Sequence, residues 1–225
     1  MTTPLRIALP KGRLLGPVLD TLAAAGIAHP DERDPGRRLV LPFPDAEEIL
    51  GRPVEAFLLK NADVPVYVEH GVADIGVSGT DVLDEAQAHV LRPHTFPFGR
   101  CRISVATRNG TSLEDLQAAE HLRIASKYTH LSRRFLREAG WNAELIRLGG
   151  SVELGAVLGL ADAIIDLVET GRTLRENHLH EVHVIGETRV KLIANRALGD
   201  ATTAVVQTLL DRITESSSTA PENER

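Results

Sequence analysis

Cys101 is the only cysteine in 225 residues. An intrachain disulfide is therefore excluded, and so is a cysteine-based metal cluster, which needs spaced pairs. That usage fits a reducing cytosol. Aromatic residues make up only 4% of the chain, so a core has to be built from Leu, Val, Ile and Ala. No apolar run reaches the roughly 20 residues needed to cross a bilayer. The start, MTTPLRIALPKGRL, lacks the basic flank, apolar stretch and cleavage site of a signal peptide. A cytoplasmic protein with no membrane partner is expected. Positive charge is in deficit, with 25 basic against 31 acidic residues and a net charge of −6. Nucleic acid is thus an unexpected partner, although local basic patches can still hold phosphate. The nine histidines form no metal-binding pattern; His178, His180 and His183 suit an exposed turn. No Ser-His-Asp or His-Glu-x-x-His order is present, and Cys101 reads as core rather than nucleophile.

What is present is a hydrophobic content of 43%, ample for one large domain or two small ones. Apolar runs that read as strands alternate with helical patterns. LRIAL leads through the turn PKGR into the helix LLGPVLDTLAAAG, closed by Gly26. EAFLLK, ADIGVSG, CRISVAT, LRIASKY and DAIIDLV read as further strands, and EVHVIGETRVKLIANRAL holds one or two more. Ser112 and Asp115 have capping-box spacing, and Ser151 is placed as an N-cap. DATTAVVQTLLDRI reads as a last helix, and TESSSTAPENER has the composition of a disordered end. The alternation predicts an α/β fold with largely parallel sheets and ligand sites at strand C-terminal ends. Two lobes with a cleft between them fit the length.

The stretch DLVETGRTL, Asp166 to Leu174, ends an apolar strand in a small, hydroxyl-rich turn before a helix. Such a turn presents backbone N–H groups and a helix dipole to an anion. Gly171 permits close backbone approach, and Thr170 and Thr173 add hydroxyl donors. Asp166 and Glu169 are acceptors suited to sugar hydroxyls, so the combination suits a ribose 5-phosphate. The same residue types also make a plain strand-to-helix turn with threonine caps, and the stretch alone leaves both readings open. Lys11 and Arg13, separated by Gly12, follow the first strand and suit a polyanion, or simply a solvated turn. Arg37 and Arg38 can hold a nucleotide or merely end a loop. Gly76, Ser78 and Gly79 allow tight packing above a strand end. Arg100 and Arg102 share a strand face, Lys127 stands at another strand end, and LGGSVE is a second glycine turn before a helix.

In order, ALPKGRL, DVPVYVEHGVADIGVSGTDVL, FGRCRISVA, ASKYTHLSRRFL and GGSVELGAVLGLADAIIDLVETGRTLRENHL resemble the ATP phosphoribosyltransferases, the first enzymes of histidine biosynthesis. The resemblance covers most of residues 5–196. It implies attack of N1 of ATP on C1 of phosphoribosyl pyrophosphate (PRPP), with Mg²⁺, giving phosphoribosyl-ATP and pyrophosphate. It implies the short catalytic form, paired as a homodimer and working with a regulatory subunit related to histidyl-tRNA synthetases, in a hetero-octamer. The implied fold is periplasmic-binding-protein-like (type II), with the active site in the inter-lobe cleft. Residues 1–97 plus 182–212 would form lobe I, 98–181 lobe II with the PRPP loop, and 213–225 a disordered tail.

By position, Glu169, Thr170, Gly171, Arg172 and Thr173 would hold the 5-phosphate, and Asp166 the ribose hydroxyls. Lys11, Gly12 and Arg13 would meet pyrophosphate or ATP, as would Arg37, Lys60, Ser78 and Gly79. Lys60 stands where relatives often carry arginine; it keeps the charge but loses the bidentate fork. Lys11, Arg13 and Asp166 would be the catalytic set, with no metal held by protein ligands alone. Adenine N1 has a free lone pair, so alignment and leaving-group neutralisation should dominate. The alternatives are a two-lobed binding or sensor protein without catalysis, or a phosphoribosyltransferase acting on free bases.

Overall fold

The computed structural model describes residues 3–28, 38–43 and 45–219. They form two compact units. The first takes the chain up to Leu83, Gln87–Phe98 and the residues from Val190 onward; the second takes Asp84–Ala86 and Gly99–Arg189.

The first unit is built on a six-stranded sheet. Its centre is three parallel strands, β3 (Val54–Leu59), β1 (Leu5–Pro10) and β4 (Ile75–Gly79). Antiparallel neighbours extend it: β2 (Val40–Phe43) beside β3, and β11 (Val190–Ala194) then β5 (Leu91–Thr95) beyond β4. From Ile7 onward β1 is apolar and buried on both faces, because both are covered there. Leu5, Ile7 and Leu9 pack with α1 (Leu15–Ala24) and α9 (Asp200–Thr219). Ala8 faces Val64 and Val68 of α3 (Val64–Glu69), together with Leu83 of α4 (Thr80–Glu85). Between β2 and β3 the chain forms the short helix α2 (Ala46–Leu50). α9 runs through Thr219, so residues 213–219 continue the helix rather than starting a disordered tail. Ile213, fully buried against the first unit's core, holds that turn down.

The second unit has a five-stranded sheet in the order β10-β6-β9-β7-β8. The strands are β6 (Cys101–Arg108), β7 (Leu122–Ser126), β8 (Ala143–Arg147), β9 (Ala163–Val168) and β10 (Leu179–Thr188). β9, β7 and β8 run parallel, and β6 and β10 are antiparallel additions. Ile103, Val105, Ile124 and Ile165 pack one face with Leu116 of α5 (Leu113–Ala118) and Leu131 and Leu136 of α6 (Thr129–Ala139). Ala106, Ala125, Ile164 and Val168 pack the other with Ala156 of α7 (Glu153–Val157) and Leu174 of α8 (Arg172–Glu176). Cys101 is buried at the start of β6.

Three sequence expectations are corrected here. Residues 182–189 stay with the second unit, because β10 pairs with β6 along its length and the chain returns to the first unit at Arg189/Val190. His180 and His183 consequently lie in a strand, with His183 stacked on Phe135 at 5.4 Å, rather than in an exposed turn. Ser151 does not cap α7: it adopts φ +47°, and Val152 takes the cap position. The capping box at Ser112 and Asp115 forms with both of its hydrogen bonds.

Candidate active site

The second unit places the DLVETGRTL stretch at the C-terminal end of β9. Asp166 lies within the strand and shares a face with Ile164 and Val168, because side chains alternate along it. Its Oδ1 accepts the Leu167 N–H at 2.8 Å. Glu169 and Thr170 are exposed beyond the strand end. Gly171, at φ +70°, is the left-handed residue from which α8 starts. An L-residue pays about 1–2 kcal/mol for that conformation, which is why glycine stands there. The opening N–H groups of a helix have no partner inside it and point out along its axis. Thr170 Oγ1 accepts the Arg172 N–H at 3.4 Å, and Arg175 Nη1 donates to the Thr170 carbonyl at 3.0 Å. The far end of α8 is tied by Asn177 Nδ2 to the Thr173 carbonyl at 2.8 Å. Glu169, Thr170, Gly171, Arg172 and Thr173 thus form one continuous, braced turn immediately after Asp166.

Two supports of this turn carry no sequence signature. Glu181, on β10, accepts from Arg102 Nε at 3.1 Å, Arg102 Nη2 at 2.7 Å and Ser104 Oγ at 2.7 Å. The Arg102 hydrogen bonds, with that of Ser104, hold its carboxyl below the ordinary value against the opposing effect of burial. A Cβ on Gly171 would stand 3.9 Å from Glu181 Oε1, so this anchored carboxylate underlies the turn. The second support is Ser126, fully buried, whose Oγ donates to the Ile165 carbonyl at 2.7 Å and accepts the Tyr128 N–H at 3.0 Å. It sets the exit of β7 so that Lys127 Nζ lies 4.0 Å from Asp166 Oδ1. Only strand register links these residues, so spacing along the chain gives no hint of them.

In the first unit the remaining candidates gather at one sheet edge. Pro10 pairs with Leu59, which sets Lys11 beside Lys60 at adjoining parallel strand ends; the Lys11 N–H bonds the Leu59 carbonyl at 2.8 Å. Gly12 has φ +90°, and its carbonyl accepts the Leu15 N–H at 3.0 Å, turning the chain into α1 with Lys11 and Arg13 exposed. Ser78 and Gly79 end β4, the other parallel neighbour of β1, and both are buried. A Cβ on Gly79 would collide with Asp81 Oδ1, so that carboxylate folds directly over the strand end. Arg37 lies outside the described residues.

A surface hollow lined by Glu120, Arg123, Asn142 and Glu144 sits at the N-terminal ends of β7 and β8, opposite to Lys127, and gathers no such chemistry. Among the described residues no three His, Cys, Asp or Glu side chains are grouped to hold a metal, and no helix is long and apolar enough to cross a membrane.

The family model HisG, ATP phosphoribosyltransferase, matches residues 60–215, which span the β9–α8 turn and the β4 strand end. The chain belongs to the ATP phosphoribosyltransferase family. An ATP phosphoribosyltransferase of Geobacillus kaustophilus is 39% identical over 209 residues, covering 93% of this chain and 96% of that one. One from Synechococcus elongatus is 40% identical over 220 residues, covering 94% and 97%. Among solved structures, the ATP phosphoribosyl transferase (HisG:HisZ) complex from Thermotoga maritima matches with a TM-score of 0.79 at 32% identity. That match covers 96% of this chain and all of that one. This member of the family thus matches its relatives over nearly their whole length, not through the β9–α8 turn alone.

Proposed function

We propose that this chain is an ATP phosphoribosyltransferase that transfers the 5-phosphoribosyl group of PRPP to N1 of ATP, the first step of histidine biosynthesis. The observation that carries it is membership of that family over a span that includes the braced turn after Asp166. Glu169, Thr170, Gly171, Arg172 and Thr173 hold the 5-phosphate through hydroxyls and the opening N–H groups of α8. Asp166 accepts the ribose hydroxyls. Lys11, Gly12 and Arg13, with Lys60, Ser78, Gly79 and Arg37, meet ATP or the pyrophosphate.

The chemistry asks little of a protein base, because adenine N1 attacks with its own lone pair. As the C1–O bond to pyrophosphate breaks, positive charge builds on the sugar and negative charge on the leaving group. Carboxylates at Asp166 and Glu169 favour the first, and lysine and arginine heads the second. Holding two anionic substrates in line accounts for most of the remaining acceleration. Mg²⁺ would be carried by phosphate oxygens of the substrates and would supply positive charge opposite the leaving group. The name of the Thermotoga maritima complex supports a second kind of subunit as partner. We read that partner as a regulatory chain resembling histidyl-tRNA synthetase, joined with paired catalytic chains in a hetero-octamer in the cytoplasm.

The test is to supply the full chain, with and without that partner, with ATP, PRPP and Mg²⁺. Release of pyrophosphate with formation of the N1-ribosylated nucleotide is expected. Saturable binding of either ligand without product would favour the non-catalytic sensor.

A further inference from the structure

The β9 and β7 strand ends hold one side chain that the function above leaves without a task. Ser126 pairs with Ile165 across the two parallel strands, so Lys127 follows β7 directly alongside Asp166. The two side chains share the face of Ala125 and Ile164, and Lys127 Nζ stands 4.0 Å from Asp166 Oδ1. Neither position is an accident of a floppy loop. The buried Ser126 hydroxyl fixes the turn by bonding the Ile165 carbonyl and the Tyr128 N–H, and the lysine ammonium lies 4.7 Å over the Tyr128 ring. The Lys127 side chain is 41% exposed against 17% for Asp166, so its head meets solvent while the carboxylate it flanks is largely covered.

This arrangement has the polarity of the proposed substrate. In PRPP the 2- and 3-hydroxyls and the 1-pyrophosphate project from the same side of the ribose, and the 5-phosphate lies at the other end. Along the sheet edge the order is the phosphate turn after β9, then Asp166, then, one strand over, Lys127. A carboxylate that accepts the vicinal hydroxyls therefore has a fixed cation beside it on the strand away from the turn, where the C1 substituent falls.

Resting on that reading of the turn, we infer that Lys127 binds the pyrophosphate of PRPP and neutralises it as it leaves, making it a substrate-specificity residue that separates PRPP from ribose 5-phosphate. Its hydrogen bonds to phosphate oxygens would be charge-assisted and would strengthen as the C1–O bond breaks and charge accumulates on the departing diphosphate. The bond that forms and the bond that breaks are those of the transfer already described; Lys127 exchanges no proton.

The experiment compares two probes, PRPP with Mg²⁺ and ribose 5-phosphate, by calorimetric titration of the full-length wild-type chain and of Lys127→Met and Lys127→Arg. Thermal unfolding is recorded for each, since a substitution at a half-exposed side chain should leave the fold intact. Lys127→Met is expected to weaken PRPP about tenfold or more, equivalent to at least one charge-assisted contact, while ribose 5-phosphate stays within about twofold. Its kcat at saturating PRPP should fall as well, and Lys127→Arg should recover most of both. Equal weakening of the two probes would make Lys127 only the counter-ion that holds Asp166, and no change in either would remove it from the site. A wild-type chain that binds neither probe would overturn the reading of the turn itself, whatever the variants do.

Discussion

Arg102 grips Glu181 by two hydrogen bonds, Nε at 3.1 Å and Nη2 at 2.7 Å, and Oε1 of that carboxylate lies 3.9 Å from where a Cβ on Gly171 would stand. Residues on the two antiparallel strands farthest from β8 thereby support the β9–α8 turn. Removing the charge should loosen the turn more than it harms chemistry. Glu181→Gln is expected to raise the KM for PRPP several-fold with a smaller change in kcat, and Glu181→Ala to raise it further. Steady-state kinetics against both substrates check this; an unchanged KM for PRPP would detach Glu181 from the turn.

Acid should unfold the protein in separable steps. The Glu181 carboxyl is held below its ordinary 4.5 by its hydrogen bonds from Arg102 and Ser104, so between the two values the unfolded chain binds more protons than the folded one. The stabilisation is complete above 4.5 and is lost as pH falls through the lower folded value. His94 is also shifted down, from 6.5, first by burial and then by nearby Lys191, and its buried Nε2 has no hydrogen-bond partner among the described residues. Its contribution is complete above 6.5 and fades as pH drops through its folded value. Melting temperatures measured from pH 7 to pH 3 should therefore fall in two stages. His94→Leu should flatten the stage below 6.5, and Glu181→Gln part of the stage below 4.5. The same slopes in wild type and both variants would contradict this.

Much of the architecture follows from local signals. The alternation of apolar runs with helical patterns, the capping box at Ser112 and the left-handed glycine opening α8 are all properties of neighbouring residues, and all are legible in the chain. The crossing between the units is not. β10 carries two register shifts, Glu181 to His183 and Val184 to Gly186, which break the period of two that would mark residues 179–188 as one strand. The supports of the site were hidden for a different reason. Ser104 and Glu181 lie 77 positions apart, and Ser126 and Ile165 lie 39 apart; only the pairing of strands brings them together. Charge type and strand-end position single out Lys127, but its link to Asp166 needs the register of β7 against β9.

Gly171 is a direct test of the turn. At φ +70° an alanine carries strain of about 1–2 kcal/mol. Its Cβ would also stand 3.1 Å from Arg175 Nη1, the group that pins the Thr170 carbonyl. Gly171→Ala should keep the fold, lower the melting temperature by a few degrees and raise the KM for PRPP, while nucleotide binding measured with ATP alone changes little. Equal losses for both ligands would show that the substitution damages more than the turn.

Two other glycines should respond in opposite directions. A Cβ on Gly76 would meet the Ala8 carbonyl at 2.9 Å, Val68 Cγ2 at 2.9 Å and Val64 Cγ1 at 3.0 Å. The carbonyl belongs to the backbone of β1, locked between β3 and β4, and cannot retreat without opening the sheet. Gly76→Ala is expected to destabilise the first unit by about 1–3 kcal/mol, the usual range for overpacking, and the melting temperature should drop by about 2–4 °C for each kcal/mol. Gly16 lies in the first turn of α1 with no positive φ, and a Cβ added there would have nothing within 4 Å. Alanine there reduces the freedom of the unfolded chain and suits the helix, so Gly16→Ala should stabilise by up to about 1 kcal/mol. Thermal and urea unfolding of the two variants read the contrast directly. If Gly76→Ala left stability unchanged, α3 would not pack against β4 as closely as the Val64 and Val68 distances require, and a destabilised Gly16→Ala would show that α1 is not open at that position.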